Sequence, residues 1–459
     1  MRILLSIVLA LLLGLAGAWV YSGRGGGPAI LIHQPATFVG QTGTLDVTVE
    51  APGGTLNRFE AYIEQTGGRV LLATSIDAAG LQVKQDGANR LRITRALGKR
   101  SLPELQAGDA TITVVAARPA LYGVRTLESR ATRDVRVRFE PPRVSVASTH
   151  HFINHGGAEF VVYRATPSDV VSGVKVGDIE YPGFSAAAAA SLAGVQLPDP
   201  SLKIAFFALL HDQDLNTPIS LFARDEAGNA ARADFDYRPF PKAFRRSRIE
   251  LNDEFLNRVV PAILEHTPEV KAEGSVLEQF LVLNGELRRK NAQQIAGLAS
   301  KTSQAPLFTG EFRQLANSKV ESAFADHRTY LSQGREVDQQ VHLGFDLATT
   351  ASAPIVASNR GTVIFADYVG IYGNTVVIDH GLGLQSLYAH LSSFEASVGQ
   401  TVETGQAIGR SGTTGLAGGD HLHFAMLVHG RMVSPVEFWD PHWLEDRVLR
   451  KLRDAAAAP

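Results

Sequence analysis

The sequence predicts a mainly β protein, and three observations carry that expectation. Short runs between Leu45 and Arg224 alternate apolar and polar residues with a period of two, the spacing of half-buried strands. Gly and Pro punctuate these runs. The same period returns around a group of histidines near the C-terminus, and only residues from about 242 to 300 break it with helical spacing. A chain of 459 residues leaves room for about three domains beyond a terminal segment. It contains no Cys, so no disulfide and no Cys-type metal site is expected. A formal net charge of −2 argues against nucleic acid as a partner.

Taken in order, residues 1–22 read as a signal anchor or a signal peptide. Met1-Arg2 precedes an apolar run from Ile3 to Tyr21, about the roughly 17–25 residues that a membrane-spanning helix needs. Ala16-Gly17-Ala18 offers a cleavage pattern. Trp19 and Tyr21 suit an interfacial belt and favour a retained anchor. Gly23 to Gly27 makes a flexible joint.

Residues 28–140 predict a β-sandwich-like module, with strands at Leu45–Glu50, Leu91–Thr94 and Thr111–Val115. Pro141-Pro142 marks a boundary. Residues 141–240 predict a second sandwich, with strands at Arg143–Ala147, Glu159–Tyr163 and Ile219–Arg224. It ends in Asp225-Glu-Ala-Gly-Asn229, a turn that resembles those of bacterial immunoglobulin-like domains.

Residues 241–335 form a helical region and linker. Leu251, Phe255, Val259 and Ile263 recur every four residues, with Asn252 or Asp253 as the cap. Leu277, Phe280, Leu281 and Leu287 make a second amphipathic run, ending at Arg288-Arg289-Lys290, where basic residues suit a helix C-terminus. These arginines, like Arg245-Arg246, read as solvated helix ends rather than an anion site. Phe324 and Tyr330 are expected to pack against the strand that follows.

Residues 336–442 carry the chemistry. Three segments alternate: His342-Leu-Gly-Phe-Asp346, Leu387-Tyr-Ala-His390-Leu391 and His421-Leu-His423-Phe424. Val341, Leu343, Phe345 and Leu347 would face a core and leave His342, Gly344 and Asp346 on the other side. Likewise Leu422, Phe424 and Met426 point in, and His421 and His423 share the outer face; Tyr388 and His390 point out from between Leu387, Ala389 and Leu391. Four histidines and a carboxylate on rigid strands suit a metal. Zinc in a hydrolase takes three nitrogen and oxygen ligands and keeps a place for water, whose pKa falls to roughly 7. Two histidines and a carboxylate make such a set. The two histidines left over suit proton transfer and oxyanion stabilisation. Gly344 has no side chain to crowd the metal.

These segments, with Ala353–Ser358, Tyr372–Gly381, Val398–Val402, Gly405–Gly409 and Gly412–Gly415 in the same order, resemble the LytM/lysostaphin-type zinc metallopeptidases of family M23. The resemblance covers roughly residues 335 to 440 and implies an antiparallel β catalytic domain of LytM type. It also implies Zn2+ held by His342, Asp346 and His423, with His390 and His421 as the catalytic pair. Ala425 departs from the family, which often carries an acidic residue there. The implied activity is an endopeptidase cutting peptide cross-links of bacterial peptidoglycan. The alternative is a non-catalytic regulator of this fold that activates separate wall amidases; it should have lost one of the five residues, and all five are present. The β modules would then be spacers, wall-binding modules or plain scaffold. The N-terminal run would place the chain in the inner membrane as a single-pass protein facing the periplasm, or in the periplasm if cleaved, with room there for protein partners. Asn374 and Tyr372 are groove candidates, although Gly373-Asn374 reads more simply as a turn. His380 and His429 read as turn residues, and His327 and His442 carry no supporting pattern. His150, His151 and His155 lack any acidic or thiol partner. Glu265-His266 lacks the spacing of a helical zinc motif.

Overall fold

Apolar alternation builds the first sheets: Leu45, Val47 and Val49 on one strand and Leu91 and Ile93 on its neighbour are all buried. We describe the fold from a computed structural model, which describes residues 2–22, 26–51, 55–75, 79–121 and 123–457. The chain divides into two compact units, residues 1–142 with 224–231, and residues 143–223 with 232–459.

The first unit holds a four-stranded sheet in the order 29–34, 44–50, 90–96, 81–85 and a five-stranded sheet in the order 38–39, 125–137, 108–120, 58–65, 68–73. Val47, Ile63, Leu72, Ile93, Ile112 and Val114 fill one core between them, as in a face-to-face sandwich. The N-terminal helix runs Arg2–Ser22. Among the described residues, no helix is long and apolar enough to cross a membrane. This overturns the expected placement as a single-pass inner-membrane protein. Trp19, expected at a membrane interface, instead has its carbonyl 2.6 Å from Arg125 Nη1 and its ring 5.2 Å from that guanidinium. The expected joint at Gly23–Gly27 falls largely on residues 23–25, outside the described residues.

In the second unit, sheets built largely from residues 143–223 enclose Phe160, Phe206, Phe207 and Leu221. Buried Glu159 accepts from Lys451 Nζ at 2.9 Å and from the Phe160 amide at 2.7 Å. Buried Glu437 accepts from the Ala158 amide at 2.6 Å and from Asn154 Nδ2 at 2.7 Å. These bonds tie C-terminal residues to the strand Gly157–Thr166.

The site rests on the elements that follow. They are β1 (Arg246–Glu250), α1 (Asp253–His266), α2 (Val276–Val282), α3 (Arg288–Gly297), β2 (Lys319–Ser322), β3 (Asp326–Ser332), β4 (Arg335–His342), β5 (Phe345–Ala348), β6 (Gly361–Val369), β7 (Gly373–Gly381), β8 (Leu384–Leu391), β9 (Thr401–Val402) and β10 (Leu422–Val428). A large sheet runs β2-β5-β10-β8-β7-β6-β9, and a smaller one runs β1-β3-β4. Asn252 caps α1, its Oδ1 accepting from the Phe255 amide at 2.8 Å, while Leu256, Val259, Val260 and Ile263 are buried.

Two local expectations change. The run through His342 and Asp346 is not one strand: β4 ends at His342 in the small sheet and β5 starts at Phe345 in the large one. The crossing falls at Gly344, where a Cβ would lie 2.5 Å from His423 Cε1 and 2.8 Å from the Phe424 carbonyl oxygen. The second helical run does not end at Lys290. It passes through a π turn at Leu283–Leu287 and continues to Gly297, because Ile295 and Leu298 extend the buried stripe.

Candidate active site

β5 and β10 pair in register, with Asp346 opposite His423, and β8 pairs with β10 so that Ala389 lies opposite His423. Adjacent strands therefore bring residues that are distant in sequence to one point. His342 Nε2 lies 2.9 Å from Asp346 Oδ1 and 3.0 Å from His423 Nδ1, and His423 Nδ1 lies 3.1 Å from Asp346 Oδ1. The three form a group able to hold a metal ion.

The donor set fits zinc. Three ligands at tetrahedral zinc stand about 3.3 Å apart, close to the separations seen here. The His342 Nδ1 proton points to the Ala323 carbonyl at 3.2 Å, which leaves the Nε2 lone pair facing Asp346. Arg328 Nη2 donates to Asp346 Oδ2 at 2.8 Å, so Oδ1 is turned to the same point. Burial alone would raise the Asp346 pKa, but His342, His421 and His423 outweigh it and hold the carboxyl well below its ordinary range. Burial brings His423 down to about 4. An anionic Asp346 oxygen and a His423 ring that burial keeps neutral thus converge with His342 Nε2. The close approach of His423 depends on Gly344, whose missing Cβ leaves room for the ring.

The other two histidines flank this group. His390 and His421 have ring centroids 4.9 Å apart, and His390 stands 5.7 Å from His423. His390 Nδ1 donates to the Thr414 carbonyl and His421 Nδ1 to the Gly419 carbonyl, each at 2.8 Å. Backbone oxygens only accept, so both rings spend the Nδ1 proton on the backbone and leave Nε2 as the nitrogen for proton exchange. His421 Nε2 is 3.4 Å from Asp346 Oδ1. Burial and the neighbouring imidazoles push His390 well down. Burial opposes protonation of His421 too, yet the Asp346 carboxylate outweighs it and raises that ring above its ordinary value. His390 adopts φ +63°, a left-handed conformation costly for a residue with a Cβ, and this turns its ring out of the strand alternation. Tyr388, expected beside it, is buried elsewhere, its hydroxyl accepting from the Ser358 amide at 2.7 Å.

All five side chains line one cavity of about 610 Å³, and the upstream region builds its opposite wall with Leu251, Phe255, Arg258, Arg288 and Tyr330. Arg258 Nη2 donates to the carbonyls of Ala417 at 3.0 Å and Gly418 at 3.2 Å, fastening α1 to the loop before His421. Tyr372 also lines the cavity, its ring 5.5 Å from that of His423. Asn374 instead joins strands, its Nδ2 donating to the Leu391 carbonyl at 3.0 Å.

Arg328, Arg258 and the orienting carbonyls of Ala323, Thr414 and Gly419 escaped the sequence reading. Arg328 lies in a strand without clean alternation, and backbone acceptors leave no residue-type signal. The remaining histidines sit apart from the group. His380 is buried between the Arg360 carbonyl at 2.8 Å and Ser386 Oγ at 2.7 Å. His429 stacks on Phe184, and His151 bonds Ser148 and the Asp236 carbonyl.

Comparison with known proteins places this geometry in context. Residues 340–435 match the family model Peptidase family M23, and the chain carries an M23 domain there. The DD-carboxypeptidase/endopeptidase Mpg of Neisseria meningitidis serogroup B is 41% identical over 97 residues, which is 21% of this chain and 22% of that protein. The peptidoglycan DD-endopeptidase ShyA of Vibrio cholerae serotype O1 is 40% identical over 96 residues, 21% of this chain and 22% of its own length. ShyB of the same organism, also a peptidoglycan DD-endopeptidase, is 35% identical over 122 residues, 27% of this chain and 28% of its own. The matches thus span about a quarter of the length of these curated relatives.

Proposed function

From an M23 domain built around this constellation, we infer that the chain is a zinc-dependent endopeptidase that hydrolyses peptide cross-links of bacterial peptidoglycan. One observation carries the reading: three ligand atoms of His342, Asp346 and His423 converge within 3.1 Å beside two histidines whose Nδ1 atoms are each spent on a backbone carbonyl. The named activity of the relatives, peptidoglycan DD-endopeptidase, supports the substrate class.

His342 Nε2, Asp346 Oδ1 and His423 Nδ1 would hold the ion. When bound, zinc supplies Lewis acidity toward a carbonyl and lowers the pKa of water. The protein's own residues do the rest. Arg328 keeps the Asp346 carboxylate in one orientation, and Ala323 keeps the His342 tautomer. His390 and His421, steadied through Nδ1, present Nε2 to take a proton from the attacking water and to donate toward the oxygen that gains charge or the departing amine. The cavity wall of Leu251, Phe255 and Tyr330 limits water around the reacting amide.

The test is turnover of a synthetic cross-linked peptide by the full chain, followed by appearance of the new amine. The reading predicts hydrolysis that chelation abolishes, that zinc restores, and that His390→Ala and His421→Ala each reduce by at least about 100-fold. Hydrolysis that survives chelation and both substitutions would contradict it.

A further inference from the structure

Arg288 lines the same cavity as the five site residues, yet it comes from the upstream helical region and no step above uses it. Its placement is built. Between α2 and α3 the chain makes a five-residue π turn, Leu283–Leu287, an uncommon local structure that concentrates at functional sites. The turn buries Asn284 completely. Asn284 Nδ2 donates to Asp338 Oδ2 at 2.7 Å, which fixes the amide. Asn284 Oδ1 then accepts from Arg288 Nη2 at 2.6 Å, and the Asn284 carbonyl accepts from Arg288 Nε at 3.1 Å. One turn further along α3, Asn291 Oδ1 accepts from the Ile371 amide at 3.0 Å. The helix is therefore bolted to the cavity wall next to Tyr372.

A guanidinium held on one edge by two bonds keeps its other donors free, and Arg288 Nη1 has no hydrogen-bond partner among the described residues. Among the described residues no carboxylate oxygen lies within ion-pair distance of it either; Arg328, by contrast, is paired with Asp346. The two other acids on the cavity wall, Glu250 and Glu254, make no ion pair with Arg288. A half-buried, oriented guanidinium with free donors presents a fixed positive charge to an anionic ligand. The cavity that it faces, about 610 Å³ with the helices in place, is within the range of sites that enclose a small ligand.

We propose that Arg288 is a specificity-determining residue that binds a free carboxylate of the peptide substrate, close to the scissile amide. The proposal rests on the endopeptidase reading and narrows it to anionic peptides. It also reverses the expectation for Arg288 to Lys290. Arg289 and Lys290 are exposed as a solvated helix surface should be, whereas Arg288 is half-buried and turned inward.

The test uses the full chain and two synthetic cross-linked peptides that differ only in a free carboxylate or a carboxamide beside the scissile bond. Binding is measured by calorimetry on zinc-depleted protein, and kcat and KM on zinc-loaded protein. The wild type should bind and cleave the free acid roughly 10- to 100-fold better, the worth of a charge-assisted bond. Arg288→Ala should erase that preference, raising KM for the free acid far more than for the amide peptide, and Arg288→Lys should recover part of it. Equal binding of both peptides by the wild type, or equal losses for both in Arg288→Ala, would overturn the role given to Arg288. Selective binding of the free acid without cleavage of either peptide would overturn the endopeptidase reading and leave the carboxylate site standing.

Discussion

Arg328 shows how much of the site lies outside the residues that hold the ion. Its Nη2 bonds Asp346 Oδ2 at 2.8 Å and Ser322 Oγ at 2.9 Å, and burial, which opposes its charge, is outweighed by Asp346. Losing such a supporting bond typically weakens metal affinity about 10- to 100-fold. Arg328→Ala should therefore bind zinc that much more weakly in a competition titration with a chromophoric chelator, and unchanged affinity would refute its orienting role. Gly344 acts through absence. A methyl there would sit 2.6 Å from His423 Nε2, so Gly344→Ala should cost about 1–3 kcal/mol in urea denaturation and remove zinc binding; a variant with wild-type values would mean that the crossing tolerates a side chain. At this scale the sequence was informative where residue type and period coincide. His342, Asp346, His390, His421 and His423 stood out for that reason. Arg328 did not, because its importance comes from β3 lying beside β4, a pairing no local pattern encodes.

Among the elements, α1 was legible from its four-residue spacing and from Asn252. Replacing that cap by Ala should destabilise the helix by about 1 kcal/mol, with Asn252→Asp close to wild type in the same denaturation series; equal losses in both would discount the cap. The π turn at Leu283–Leu287 was not legible, since Leu-Asn-Gly-Glu-Leu fits an ordinary helix and the widening follows from tertiary bonds of Asn284. The split between β4 and β5 was also hidden: alternation continues across Gly344 although the chain changes sheet. Glu437 gives this scale its pH dependence. Burial raises its pKa from 4.5 to about 7, so the folded state holds the proton more tightly than the unfolded state. Stability from this group is fully present below about pH 4.5 and declines as pH rises toward 7, by roughly 3 kcal/mol in total. Glu437→Gln keeps the acceptor for the Ala158 amide and should flatten that part of the stability curve. A variant with an unchanged slope between pH 4.5 and 7 would contradict the assignment.

Across the whole molecule, sequence and structure agree on a mainly β chain with a helical region over residues 253–301, and further helices lie at Arg2–Ser22 and over residues 436–457. What the sequence could not convey is that this helical region forms a wall of the cavity, since the contacts of Arg258 and Asn291 join segments 80 or more residues apart. The N-terminal run was misleading for a related reason: apolar length alone suggested a membrane span, and no described helix meets that requirement. The central claim is that one metal group and two histidines make this chain a peptidoglycan endopeptidase. Its most direct test is digestion of purified sacculi by the full chain, with mass spectrometry of the released muropeptides, before and after chelation and zinc return, and with His423→Ala as control. The account predicts cross-linked dimers converted to monomers only when zinc and His423 are both present. Dimers left intact by the zinc-loaded wild type, or lost equally in His423→Ala, would contradict it.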